Sequence, residues 1–452
     1  MPTAYTILFL LLILVAAATW IIPAGSYDYV DGVPVAGTYH TVEQNPQGVG
    51  DVLKAAFSGF YDAVDVCIFI LMVGGFLGVV MKTGAVDAGV GNVIRLLGGR
   101  EKWLIPILML LFGLGGTTYG MWEETMAFYP LLIPVFLAAG YDAVVGISVI
   151  LLGAGAGVIA STVNPFATGI AAGFAGVSLG EGIVLRLLEW VAFEAAAIWF
   201  VMAYAAKVKK NPSKSVVGVG AGKIQVSMDQ QVPFTAKRKV IMALFTLTFL
   251  IMVYAVVPFD EMGLSLPALG WWFPELSALF LVAGVVIGLI DRMSEEELVE
   301  TYVAGCADLL GVAFIIGISR GITVLMNDGA ITDTVLHWGE QALSGAGAIS
   351  FTLLVFALYL PLTILIPSSS GLATLSIPIV APLGKFAGVG GDLVVTAFQS
   401  ASGLVNIITP TAAVVMGALA LGHVPYDRWV KYVWKLILWF LLLALAFLVA
   451  GV

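Results

Sequence analysis

The sequence has little charge, few histidines and few cysteines. Of its 452 residues, 11% are charged and 60% are hydrophobic, and the mean hydropathy is +1.03. A water-soluble domain carries about 25% charged residues, so this chain lacks the polar side chains needed to cover a surface in water. A soluble globular protein is therefore excluded, and we predict an integral membrane protein.

The scarce residues also exclude several kinds of chemistry. Cys67 and Cys306 both lie within apolar runs, so no disulfide framework is indicated. The 3 histidines are far apart in the sequence, and no HExxH, GxSxG or Walker A pattern is found. We therefore expect no enzyme activity, no cofactor, no metal other than a coupling Na⁺, and no nucleic-acid partner.

Apolar runs of about 20 residues recur along the chain, which is typical of an all-α polytopic membrane protein rather than a barrel. Two pairs of apolar arms, 103–116 with 126–140 and 348–366 with 372–387, are interpreted as re-entrant hairpins. Arms of about 14 residues are short for a crossing. The remaining runs predict nine transmembrane spans, at about 5–24, 57–81, 143–170, 182–206, 240–258, 275–290, 302–326, 393–418 and 429–450.

The basic residues cluster on one side of this predicted topology. They concentrate in segments 82–102 and 207–239 and again near Arg428, whereas the opposite loops contain acidic residues but no Lys or Arg. Basic residues favour the cytoplasmic side of a membrane. We therefore predict a multi-pass protein with its N-terminus in the cytoplasm and its C-terminus outside.

The chain also contains an internal repeat. MKTGAVDAGV aligns with MNDGAITDTV, and Pro165 then falls on Pro410. Each repeat unit contains three crossings and one hairpin, so the second unit is inverted relative to the first, as in many secondary transporters. The predicted divisions are a first helix with its outer loop (1–56), the first repeat (57–206), a cytoplasmic linker (207–239), two scaffold helices (240–301) and the second repeat (302–452).

Four stretches interrupt apolar sequence with Gly, Pro and short polar residues: GGTTYGMWEET (115–125), ASTVNPFATG (160–169), IPSSSGLAT (366–374) and QSASGLVNIITPTAA (399–413). Unpaired backbone at membrane depth must be buried in protein or line a wet cavity. These stretches predict two discontinuous helices, two hairpin tips and one polar site. The alternative is that they are ordinary kinks, with Ser and Thr bonding back to helix carbonyls.

The candidate residues of this site are short polar side chains and two carboxylates. We predict substrate binding by Glu123, Glu124, Thr125, Asn164, Ser368, Ser369, Ser370, Asn406 and Thr409. We predict that the coupling cation, Na⁺ or H⁺, is held by Thr117, Thr118, Glu124, Ser161, Asn164, Ser402 and Thr411.

Glu123 and Glu124 are adjacent carboxylates in strongly apolar sequence. A carboxylate at membrane depth costs several kcal/mol unless it is paired, hydrated or protonated. Two functional roles fit: binding a cationic group of the substrate, or carrying a coupled proton. The alternative is a structural ion pair, for which Arg320 is the candidate cation.

Several strings resemble one family: TTYGMWEETMAFYPLLIPVFLAAGYD, STVNPFATGIAAG, MNDGAITDTVLHW, IPSSSGLATLSIPI and QSASGLVNIITPTAAVVMG. Over nearly the whole chain the sequence resembles the YfcC-type branch of the C4-dicarboxylate anaerobic carrier family, within the wider ion-transporter superfamily. The resemblance implies a homodimer in the lipid bilayer of a prokaryotic inner (cytoplasmic) membrane, a scaffold and a transport domain in each protomer, and an elevator-like movement.

In the dicarboxylate carriers of that superfamily, Ser-Asn-Thr motifs at both hairpin tips bind Na⁺ and substrate carboxylates. Here the tips are TTYGMWEET and PSSSGLAT. Some YfcC-type members are regarded as basic amino acid exchangers. We expect a secondary active transporter of a small charged solute. The favoured substrate is a basic amino acid such as arginine or ornithine. Its α-carboxylate would meet Ser368–Ser370 and Thr409, and its cationic group Glu123 or Glu124. A Na⁺- or H⁺-coupled C4-dicarboxylate carrier is the alternative, and an ion channel is the candidate from another class.

Overall fold

The computed structural model describes residues 4–31, 33–86, 88–89, 92, 100–178, 180–218, 233–256 and 266–452. Most of them are helical. The α-helices are α1 (Ala4–Ala18), α2 (Val49–Asp62), α3 (Val64–Lys82), α4 (Leu104–Thr118), α5 (Tyr129–Ala138), α6 (Ala143–Ile159), α7 (Ile170–Ala175), α8 (Ile183–Lys210), α9 (Ala236–Val256), α10 (Phe273–Asp291), α11 (Glu295–Asp328), α12 (Thr332–Leu343), α13 (Ala348–Leu365), α14 (Ser369–Ala387), α15 (Gly391–Asn406), α16 (Ala413–Leu421) and α17 (Tyr426–Ala450).

Shorter elements connect these helices. The 3₁₀ turns are Glu101–Trp103, Glu123–Phe128 and Pro212–Lys214, and Pro165–Gly169 forms a π-helical turn. Between α1 and α2 lie four two-residue strands: β1 (Gly25–Ser26), β2 (Tyr29–Val30), β3 (Val33–Pro34) and β4 (His40–Thr41). Strand β1 pairs with β4 and β2 with β3, both antiparallel.

Within the described residues, six helices are long and apolar enough to cross a membrane: α3, α10, α11, α13, α14 and α17. Four of them coincide with predicted spans. Helices α1 and α6 are apolar but shorter, with 15 and 17 residues. The all-α polytopic class is confirmed, whereas the nine-span topology stays a prediction.

The predicted length of the second pair of hairpin arms was wrong. The expected arms of about 14 residues are the 18-residue α13 and the 19-residue α14. Pro361 in α13 and Pro378 and Pro382 in α14 stay within their helices. Helix α13 fills the predicted arm 348–366, and α14 begins three residues before the predicted arm 372–387, so both are long enough to span a membrane. Re-entry of this pair stays a prediction.

Helices α6 and α15 lie in the core, and every residue of both is buried except Asp392, in the first turn of α15. Protein therefore surrounds both helices on all sides. Helix α6 stops at Ile159, and regular α-helix resumes at Ile170; α15 stops at Asn406, and α16 begins at Ala413. The prediction of interrupted helices around Pro165 and Pro410 is therefore confirmed.

Helix α11 packs along α2 and α3, and glycines allow the close approach. A Cβ atom on Gly305 would lie 3.0 Å from the Cα of Gly78 and closer still to the Gly74 carbonyl. The predicted span 57–81 is not one continuous helix, because the helix is interrupted at Ala63, between α2 and α3. This break helps to form the site.

Some predictions lie outside the described residues, in whole or in part. The linker 207–239 is described to residue 218 and again from 233, and the end of the predicted span at 257–258 is not described. The inverted repeat and the five predicted divisions stay predictions.

Candidate functional site

The four interrupted stretches and the α2–α3 break meet at one cavity of about 190 Å³. It takes residues from loops, from helix ends and from the C-terminal third of α11, so no single segment forms it. Its charged and amide- or hydroxyl-bearing lining residues are Asp62, Asp65, Glu123, Glu124, Asn164, Arg320, Ser368, Ser369, Ser370 and Asn406. A second cavity of about 40 Å³ shares Glu123, Arg320 and Asn406 and adds Ser319 and Thr411.

The loop that carries the two glutamates depends on Gly120. Helix α4 ends at Thr118, and Gly120 adopts φ +79°, a left-handed conformation that glycine tolerates best. A side chain at this position would also collide with the amide of Asn164. The turn therefore brings the first interrupted stretch against the second.

Glu123 and Glu124 both line the cavity but differ in exposure. Glu124 is 6% exposed, and its Oε2 accepts a hydrogen bond from the backbone N–H of Trp122 at 3.1 Å. Glu123 is half-buried. Within the described residues the ion pair of Arg320 is with Asp62, whose Oδ2 lies 3.8 Å from its Nε, and neither glutamate comes within 4 Å of the guanidinium.

Asp62 and Asp65 are the functional candidates that the sequence analysis missed. Asp62 ends α2, and Asp65 lies in the first turn of α3, so the break at Ala63 places both on the cavity. In the sequence these two acids stand at the start of an apolar run, a position that fits a membrane interface equally well. The described lining thus carries four carboxylates and one guanidinium, and its net negative charge favours a cationic ligand.

Most of the predicted substrate-binding residues line this cavity. Ser368, Ser369 and Ser370 reach it at the start of α14, where Ser368 Oγ caps the helix by accepting from the N–H of Gly371 at 3.2 Å. Thr125 and Thr409 do not line it. The hydroxyl of Thr125 donates to the Trp122 carbonyl.

The predicted coupling residues are more dispersed. The hydroxyl of Thr118 donates to the Leu114 carbonyl of its own helix at 2.6 Å, and Ser161 Oγ accepts from Thr168 at 2.6 Å. Thr411 lines the smaller cavity, and its Oγ1 lies 2.9 Å from that of Thr409.

Three buried oxygens on α15 have no hydrogen-bond donor: Oε1 of Gln399, Oγ of Ser402 and Oδ1 of Asn406. Ser402 and Asn406 lie one helical turn apart, at the end of the helix that approaches the cavity. Buried polar atoms are almost always hydrogen-bonded, so these two are candidates for contact with a ligand or an ion.

Broken helices around a charged cavity in an apolar chain are typical of membrane transporters. The sequence profile of DcuC, the C4-dicarboxylate anaerobic carrier family, matches residues 1–452. The chain therefore belongs to this family of membrane transporters.

Two relatives are similar over almost their full length. An uncharacterized protein of Haemophilus influenzae is 35% identical, with 100% of this chain and 97% of that protein aligned. An Escherichia coli protein, YfcC, provisionally named a basic amino acid antiporter, is 31% identical over 95% of this chain and 92% of its own length. Among solved structures, the YdaH transporter of Alcanivorax borkumensis aligns with a TM-score of 0.46 and 14% identity, over 99% of this chain and 98% of that one.

Proposed function

We propose that this chain is a secondary active transporter of a small organic solute with a positively charged group, and specifically a basic amino acid of the arginine or ornithine type. The observation that carries the proposal is the charge of the cavity, where Asp62, Asp65, Glu123 and Glu124 face the single guanidinium of Arg320. A cleft lined mainly by charges of one sign attracts a ligand of the opposite sign.

The similarity to YfcC supports the same substrate class, because the name of that protein refers to basic amino acids. The predicted mechanism is elevator-like alternating access by a homodimer. In that mechanism the two hairpins and the interrupted helices move together with the substrate.

We propose that transport is driven by a Na⁺ gradient, by a H⁺ gradient or by exchange with a second solute. Na⁺ coupling is supported by Ser402 and Asn406, whose donor-free neutral oxygens are ligands that a hard cation prefers. Proton coupling is supported by the glutamate pair, because two adjacent carboxylates repel each other when both are ionised.

A C4-dicarboxylate carrier is the second candidate. The family description favours it, and so does Arg320, a cavity cation that would suit a substrate carboxylate. The excess of acidic residues over basic ones in the lining argues against a ligand that carries only negative charge.

Counterflow in proteoliposomes tests the proposal. Vesicles preloaded with unlabelled arginine should accumulate labelled arginine or ornithine, and those preloaded with succinate should not accumulate labelled succinate. E123Q and E124Q should each lower arginine counterflow by about tenfold or more, because a charge-assisted contact is lost. E296Q, which alters an exposed glutamate at the start of α11, is the matched control.

Three results would contradict the proposal. One is succinate counterflow that is insensitive to E123Q and E124Q, and another is counterflow of neither solute class. The third is single-channel current from purified protein in planar bilayers, which would indicate an ion channel.

A further inference from the structure

Arg320 is a cation in the C-terminal third of a long, largely apolar helix. It belongs to the 34-residue helix α11, is partly buried, and lines both cavities of the site. A basic residue within a membrane-spanning segment is costly, and such residues usually mark a substrate or ion pathway. Its position therefore calls for an anionic partner.

Close packing of α2 against α11 places Asp62 beside Arg320. A Cβ atom on Gly59 would lie 3.0 Å from the backbone carbonyl carbon of Arg320, so small residues bring the two helices together here. Asp62 then follows one turn later at the end of α2. The position of this aspartate is fixed by backbone packing and by the end of its helix.

The ion pair between them is loose. It is a single contact of 3.8 Å from the Nε of Arg320, and the Asp62 side chain is 52% exposed. A guanidinium has five N–H donors in a planar fork, and a carboxylate satisfies it best through two parallel bonds. Within the described part of the chain no acceptor lies within hydrogen-bond distance of Arg320. Its donors therefore stay available to a ligand.

A second group in the same place lacks a partner. Oδ1 of Asn406 is buried, with the residue 4% exposed, and has no hydrogen-bond donor. Asn406 lines both cavities together with Arg320 and Glu123. The site thus offers free N–H donors beside a free carbonyl acceptor, which are the complements of a carboxylate and an ammonium group.

We propose that Arg320 binds the α-carboxylate of the transported amino acid and exchanges its loose contact with Asp62 for a two-bond contact with the substrate. Asp62, once released, and Asn406 take the α-ammonium group, while Glu123 and Glu124 take the side-chain cation. This inference rests on the proposed function. It adds a specificity rule: the site selects amino acids over the corresponding amines, which lack the carboxylate.

Arginine and agmatine provide the test, because agmatine has the same guanidinium chain without the carboxylate. Dissociation constants are measured by titration calorimetry on purified protein in detergent. The wild-type protein should bind arginine about 10- to 100-fold more tightly than agmatine, the range expected for hydrogen bonds to a charged group. In R320Q the ratio of the agmatine dissociation constant to the arginine dissociation constant should fall towards one, mainly because arginine binds more weakly.

Agmatine binding by R320Q serves as the internal control for folding. R428Q, which removes an arginine with a 54% exposed side chain, is the matched control and should keep the wild-type preference. If R320Q binds neither ligand, the arginine-to-agmatine preference is measured in R320K instead, because lysine keeps the charge but lacks the planar fork of the guanidinium. A preference reduced in R320K supports the inference, and an unchanged one contradicts it.

Failure of the inference and failure of the proposed function give different results. An R320Q protein with the wild-type arginine preference would overturn the role of Arg320 and leave the proposed function intact. A wild-type protein that binds neither arginine nor agmatine would overturn the proposed function itself.

Discussion

Thr117 and Thr162 join two helix ends that both stop near the cavity. The backbone N–H and the hydroxyl of Thr162 donate to the Thr117 carbonyl, each at 2.9 Å, and Thr117 Oγ1 donates to the carbonyl of Ala160 at 2.7 Å. Both threonines are buried. These bonds satisfy backbone groups that the ends of α4 and α6 leave unpaired, as is required at membrane depth.

The first prediction concerns this pair. T117V removes the hydroxyl and leaves the Ala160 carbonyl without its donor, so it should lower the free energy of unfolding by about 1–3 kcal/mol. T118V is the matched control, because the Thr118 hydroxyl bonds back to its own helix and is less buried. Thermal unfolding in detergent measures both, and equal shifts would contradict the role assigned to Thr117.

The second prediction tests the additional acids. Asp65 is partly exposed at the cavity, so D65N should weaken arginine binding by roughly two- to fivefold, the equivalent of a partly screened ion pair. D51N changes an aspartate that lies a helix away, at the start of α2, and should have no effect. Titration calorimetry measures both, and wild-type affinity in D65N would remove Asp65 from the site.

The third prediction concerns helix packing. G305A places a methyl group against the backbone of α3 at Gly74 and Gly78, so overpacking should cost about 1–3 kcal/mol. G173A is the control, since a Cβ there meets nothing within 4 Å. Thermal unfolding should show a lower Tm for G305A alone, and an unchanged Tm would show that α3 and α11 can separate at little cost.

The fourth prediction concerns the loop between α1 and α2. Tyr27 is 1% exposed, and its hydroxyl donates to Oε2 of Glu340 in α12 at 2.8 Å. Burial, followed by this hydrogen bond, raises the pKa of Tyr27 above its ordinary value. The folded protein therefore holds the phenol proton more tightly than the unfolded chain. The stabilisation is complete below the ordinary tyrosine pKa of about 10 and is lost as the pH rises above it.

Y27F should lower stability by about 1–2 kcal/mol at neutral pH, because a hydrogen bond to a carboxylate is lost. Between about pH 10 and 11 it should lose less further stability than the wild type does. Y61F, which alters an 84% exposed tyrosine, is the control. Parallel slopes for wild type and Y27F above pH 10 would contradict this account.

The two interruptions around Pro165 and Pro410 could be predicted from the sequence, but the interruption at Ala63 and the residues that meet at the cavity could not. Asn164 and Ser368 each stand beside a Pro in an apolar run, and a Pro next to short polar residues indicated an interruption at each position. By contrast, Pro361, Pro378 and Pro382, whose immediate neighbours are apolar, stay within helices. The interruption at Ala63 contains neither Pro nor Gly. Composition therefore gave no sign that Asp62 and Asp65 belong to the site rather than to a membrane interface.

The sequence by itself determined that this is a helical membrane protein and that two of its helices are broken. Hydropathy and the positions of Pro and Gly act locally, and an unpaired backbone in apolar surroundings permits few alternatives. The tertiary structure alone decided which charges meet. Asp62 and Arg320 are far apart in sequence, and their contact depends on how closely α2 packs on α11 at Gly59 and Gly317. No local sequence pattern specifies this close packing, because it depends on how the surface of α2 fits the surface of α11.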